Sequence, residues 1–216
     1  MQYDPDWQVD LTRYPSSRPL LKEQSLWAVW VYRFGRRVDR FKDSLWKRFM
    51  TGVYWLLFRI VETLLATSIP KSAWIGPGLR IWHFGSIFIH PDTIIGANCT
   101  LRQGVTIGNR HPGGAVPVIG NDVEFGAYAQ VLGGIRIGDG CKIGAMSVVL
   151  CDVPDGATAV GVPAVIVEKK TGDEGQPAIL KAKAEEADVE YLQDQRVSRR
   201  RPWSYSHRGN RVGAQR

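Results

Sequence analysis

Cysteine is scarce in this chain: three among 216 residues, an odd number with neither a zinc-like nor a redox-like spacing. That excludes a disulfide framework and points to free thiols in a reducing compartment. An uninterrupted apolar run is also missing. The longest, FMTGVYWLLFRIVETLLA at 49–66, is broken by Arg59 and Glu62, whereas a helix crossing a bilayer needs about 20 mostly apolar residues. The opening MQYDPDWQVD places acids where a secretory leader is basic and then apolar, so the expected location is the cytoplasm. Acids are absent from residues 196–216, which carry seven arginines. Residues 1–72 hold twelve basic against seven acidic groups, and residues 73–195 hold nine against fourteen. The basic excess therefore belongs to the ends, and no specific nucleic-acid partner is expected of the middle.

Prolines 5, 15 and 19 predict an irregular arm over the first nineteen residues. A helical pattern follows from about Leu20 to Val38. A second comes after the cap candidates Asp43 and Ser44, with Trp46, Phe49, Met50, Val53, Leu57, Ile60, Val61 and Leu64 at spacings of three and four. That wide apolar face needs a partner: the rest of the protein, another subunit, or the inner face of a membrane touched peripherally.

From residue 75 helix-forming runs vanish and a period of six appears. From Ile119 the chain divides into IGNDVE, FGAYAQ, VLGGIR, IGDGCK, IGAMSV and VLCDVP, and the same frame runs earlier through IHPDTI, IGANCT, LRQGVT and IGN. The first place holds Ile119, Phe125, Val131, Ile137, Ile143 and Val149; the fifth holds Val123, Ala129, Ile135, Cys141, Ser147 and Val153. This pattern predicts a parallel β-helix of triangular cross-section. The first residue of each unit points inward, the fifth fills a corner, the second-place glycine allows tight turning, and three units close a coil.

Two interruptions stand out against that regularity. Ile81 to Ile89, which opens with IWHFG, spans eight residues instead of six, a slip that falls directly after His83. Between Ile107 and Ile119, GNRHPGGAVPV lacks the inward pattern and reads as a loop leaving the prism. Each interruption carries a histidine, His83 and His111, and functional sites are where local rules break. Beyond the closing GVPAVIV, EKKTGDEGQP reads as a linker, 178–195 as a short charged helix and 196–216 as a disordered tail. The expected division is thus 1–72 for the arm and helices, 73–168 for the β-helix, and 169–216 for the remainder.

The stretches IGANCTLRQGVTIGNRHPGG and IGNDVEFGAYAQVLGGIRIGDGCKIGAMSVVLCDVPDGATAVGVPA resemble the hexapeptide-repeat acyltransferases, within them the serine-acetyltransferase-like group. The helices followed by IGPGLRIWHFGSIFIHPDTIIG look like the smaller members of exopolysaccharide pathways, similar to colanic acid acetyltransferases. The resemblance implies a left-handed coil, a homotrimer with active sites between neighbouring prisms, and acetyl transfer from acetyl-CoA to a hydroxyl. It places His83 at the catalytic histidine, Arg110 and His111 at the substrate-contacting loop, and Ala127 and Ala145 at corners touching the coenzyme. Cys151 stands where a basic residue serves the coenzyme elsewhere in the family. Two positions depart from true serine acetyltransferases: Trp82 replaces an aspartate that helps hold the substrate ammonium, and Ser68 replaces the aspartate that orients the histidine.

A thioester is already activated, so catalysis needs a base for the acceptor hydroxyl and donors for the developing oxyanion. Imidazole suits that base, which makes His83 the first candidate and His111 a second for positioning or proton transfer. Zinc enzymes built on such a prism resemble a pattern with two histidines five apart; none occurs here, and no metal is expected. With a flat Trp82 suited to stacking on a sugar ring, the expected reaction is acetylation of a saccharide hydroxyl in exopolysaccharide synthesis. The alternative acceptor is L-serine.

Overall fold

A computed structural model of the chain describes residues 5–167. The linker, charged helix and arginine-rich tail expected beyond them lie outside the described residues. Four helices come first: α1 (Pro5–Thr12), α2 (Pro19–Lys22), α3 (Ser25–Asp39) and α4 (Leu45–Leu65). The stretch expected to be an irregular arm contains α1. Pro5 opens that helix rather than breaking it, since a proline in the first turn gives up no helical hydrogen bond, and Asp6 sits favourably at the positive end. The pattern starting at Leu20 divides in two, because the Glu23 amide closes on the Pro19 carbonyl at 2.8 Å before α3 begins. Ser44 caps α4, accepting from the Lys47 amide at 3.2 Å. Along α4, Leu45, Trp46, Phe49, Leu56, Ile60 and Leu64 remain exposed. No helix among the described residues is long and apolar enough to cross a membrane.

The remainder is a parallel β-helix whose strands stack into three sheets. Sheet A holds β1 (Thr67–Ser68), β4 (Ile87–Ile89), β7 (Thr106–Gly108), β10 (Gln130–Leu132) and β13 (Val148–Val149). Sheet B holds β2 (Trp74–Ile75), β5 (Ile94–Ile95), β8 (Val118–Ile119) and β11 (Arg136–Ile137). Sheet C runs from β3 (Arg80–Ile81) through β6 (Thr100–Leu101), β9 (Glu124–Phe125) and β12 (Lys142–Ile143) to β14 (Thr158–Gly161) and an antiparallel β15 (Ala164–Val167). Every first-place residue from Ile75 to Val149 is buried, so apolar side chains fill the prism.

The registers measure the interruptions. Ile89 pairs with Ile107, eighteen residues on, the length of a regular coil. Ile75 pairs with Ile95, twenty residues on, and Ile107 with Val131, twenty-four. Ile137 bridges to Val153, only sixteen on. The prism therefore gains two residues after Ile81, gains six in the loop between β7 and β8, and loses two after Val149. That last deletion moves Val153 from the expected fifth place to the inward first place.

Glycine has a different role from the one expected of second place. Left-handed backbone falls instead on the fourth place, at residues such as Asn98, Asp122, Tyr128 and Met146. Second-place glycine meets the next coil: a Cβ on Gly126 would lie 2.4 Å from the Ala145 nitrogen. Only a hydrogen fits there, and close coil stacking is what the repeat glycine permits.

The first coil has no preceding coil to pair with over most of its length, and the helices fill that role. Asp10 accepts from the Gly78 and Leu79 amides, each at 2.8 Å. Arg33 binds Asp10 at 2.7 Å and donates to the carbonyls of Ile75 and Gly76. Tyr32 accepts from Ile75 and donates to Ala73, Tyr14 accepts from Ile81, and Ser25 donates to Ile81. An exposed sheet edge is thereby closed with side chains.

Candidate active site

The corner between sheets C and A carries His83. Ile81 ends β3 inside the prism, and the Trp82 amide still follows the ladder, donating to the Leu101 carbonyl at 3.0 Å. The two extra residues are then absorbed by left-handed backbone at Gly85 (φ 112°) and Ser86 (φ 55°) before β4 resumes. His83 is carried outward on this bulge and is exposed. With Trp82 and Phe84 it forms one wall of a cleft of about 350 Å³, and Lys22, Glu23, Gln24 and Ser25 form the other. Ser25 ties the two walls together, its hydroxyl donating to the Ile81 carbonyl at 2.9 Å. Ser68 lies in β1, half-buried and paired with Phe88, and no described residue hydrogen-bonds to the His83 imidazole.

Trp82 is occupied on one side. The Arg80 guanidinium carbon lies 3.9 Å from the centroid of its ring and 5.0 Å from that of Tyr14. Arg80 is itself buried, and its Nε has no hydrogen-bond partner. The indole thus covers a desolvated cation, an arrangement favoured by the negative ring face. Residues 80 and 82 share this side because strand side chains alternate and Ile81 points inward.

The same corner continues down successive coils. The Gly104 amide donates to the Gly85 carbonyl, the Tyr128 amide to Gln103, and the Met146 amide to Ala127. Ala127 and Ala145 are therefore aligned with His83 on one edge of the prism, Ala127 half-buried and Ala145 exposed. Arg110 and His111 are elsewhere, on the loop leaving the corner between sheets A and B. Arg110 lies along that edge, donating to the carbonyls of Leu132 at 3.1 Å and of Leu150. Cys151 follows Leu150 on this second edge and is exposed. His111 is exposed and does not line the His83 cleft. Among the described residues no group of histidine, cysteine and carboxylate side chains is arranged to hold a metal.

Sequence reasoning missed the α2 side of this cleft, Lys22 to Ser25. Nothing in the repeat frame refers to those residues, which form the short link from the end of α2 into the start of α3 and look like any surface turn. The cleft pairs a solvent-accessible imidazole with charged and polar side chains, sufficient for taking a proton from a small bound hydroxyl compound.

Residues 117–151 match the family model for bacterial transferase hexapeptide repeats, and residues 89–110 match the hexapeptide repeat of succinyl-transferase. A serine acetyltransferase of Helicobacter pylori is 39% identical over 132 residues, covering 60% of this chain and 77% of that one. One from Synechococcus elongatus is 40% identical over 114 residues, 52% of this chain and 47% of that one, so the match spans about half of that relative. Among solved structures, soybean serine acetyltransferase complexed with serine superposes with a TM-score of 0.65 at 31% identity, covering 76% of this chain and 70% of that one. These relatives and structural neighbours overturn the expected saccharide acceptor, and they give no support to a particular closeness to exopolysaccharide enzymes. Trp82 was a weak pointer to a sugar: its ring is not a free platform, since one of its two faces is stacked on Arg80.

Proposed function

We propose a specific reaction for this chain, which belongs to the family of hexapeptide-repeat acyltransferases: transfer of the acetyl group of acetyl-CoA to the hydroxyl of L-serine. The observation that carries the reading is the conjunction of serine acetyltransferase relatives with an open histidine at a corner bulge that lines a cleft with the helices. His83 takes the hydroxyl proton as the serine oxygen attacks the thioester carbonyl. The tetrahedral intermediate then collapses, the C–S bond breaks, and the proton passes to the departing thiolate. The products are O-acetyl-L-serine and CoA, and no covalent enzyme intermediate is needed because the thioester is already activated.

Ala127 and Ala145 would flank the coenzyme, on the edge below His83. Arg110 and His111 stand on a different edge of the same prism. Their participation calls for a homotrimer in which the loop of one copy meets the His83 edge of the next. The test is release of free thiol from acetyl-CoA with L-serine as acceptor. Wild-type protein is expected to turn over, and His83→Ala to lose roughly 10²- to 10⁴-fold in kcat with its fold intact. Absence of serine-dependent thiol release from the wild type would overturn the reading.

A further inference from the structure

We propose that the carboxylate of Glu23 receives the ammonium group of the acceptor, so that the α2 turn sets specificity for an amino acid. This rests on the serine reading above and adds a binding residue to it. An ammonium entering a partly desolvated cleft needs an anion to replace its hydration. The wall next to His83 cannot supply one. The residue there is Trp82, and behind its ring, at 3.9 Å, is the Arg80 guanidinium, which repels a second cation.

Across the cleft, Glu23 is the one acid among the lining side chains. It is half-buried, and no ion pair or side-chain hydrogen bond to a described residue occupies it. Its backbone is fixed on both sides, the amide bonded to the Pro19 carbonyl at 2.8 Å and the carbonyl to the Leu26 amide at 3.0 Å. The hydroxyl and ammonium of serine are separated by only two carbons, so the base and the anion must line the same small space. His83 and Glu23 do. Lys22 lines the same cleft; its charge opposes an ammonium and suits the acceptor carboxylate.

The experiment compares L-serine with 3-hydroxypropanoate, which keeps the hydroxyl and carboxylate but lacks the amine, in wild type, Glu23→Gln and Glu23→Asp. Expected for Glu23→Gln is a rise in the KM for serine of roughly ten- to a hundredfold, the loss of one charged hydrogen bond. The kcat, the KM for acetyl-CoA and the weak use of 3-hydroxypropanoate should stay near wild type, and Glu23→Asp should recover part of the serine affinity. An unchanged serine KM in Glu23→Gln, or an equal loss with both acceptors, overturns the assignment while leaving the serine reaction standing. A wild type that does not use serine removes the reaction and the assignment together.

Discussion

In the middle of the prism each coil's N–H and C=O groups meet those of the next coil; at the first coil they meet side chains instead. The two regions solve one problem, an open row of backbone donors and acceptors, by different chemistry. Coil-to-coil bonding is repetitive and shares its cost among many equivalent contacts. The helical cap concentrates its bonding in Asp10, Tyr14, Ser25, Tyr32 and Arg33. The cap should therefore be vulnerable to single substitutions, and its failure should reach the active-site cleft, whose α2 wall it holds against the prism.

The largest expected effect is at Asp10. Asp10→Ala removes the partner of a buried Arg33 and the acceptor for two first-coil amides at once. The expected loss is about 3–5 kcal/mol, read by urea unfolding, with greater protease sensitivity in α1 to α3 than in the middle coils. Loss confined to α1, with the first coil unaffected, would show that the side chains are not replacing a missing coil.

That contrast also explains what could be read from the sequence. The prism was legible because each inward side chain recurs every six residues, and the slip at 81–89 was legible because it broke that count. The cap has no period: a carboxylate reaching two amides 68 and 69 residues away leaves no local mark. The candidate site divides along the same line. His83 stands at a break in the period and was legible as a candidate for that reason; Glu23 is the residue that caps the four-residue α2, and only the folded chain brings it to the same cleft as His83. Trp82 misled because an aromatic beside a catalytic candidate is not specific to sugars, and Arg80, two residues earlier on the same side of the strand, accounts for one of its faces.

A middle-sized effect follows from the tyrosines of the cap. Burial pushes the Tyr14 phenol up to about 12 and Tyr54 likewise to about 12, and it raises Tyr32 as well. The neutral phenol is favoured in the folded state, so the stability involved is fully present below the ordinary value near 10. It is lost as pH rises from about 10 through about 12, where the unfolded chain ionises and the folded chain resists. For Tyr14 alone the loss amounts to roughly 3 kcal/mol. Helix signal should fall ahead of the prism in an alkaline titration, and Tyr14→Phe should flatten that early phase. Simultaneous loss of helix and prism would instead mean that the two regions unfold as one unit.

The smallest effect tests whether the far end of the prism follows the logic of the cap. β13 is the last strand of sheet A, and just before it the buried hydroxyl of Ser147, in a fifth place held elsewhere by Ala129 and Cys141, accepts from the Gly161 amide at 3.0 Å. A polar residue in that small inward space is useful only because the last turn before β15 lacks a coil to bond with. Gly161 is exposed, so water can take over its N–H when the hydroxyl is removed. Ser147→Ala should therefore cost only about 1 kcal/mol, well below Asp10→Ala, with the unfolding midpoint shifted and the cooperativity retained. A cost as large as that at Asp10 would mean that this end also depends on a single buried contact, and the contrast between the ends would disappear.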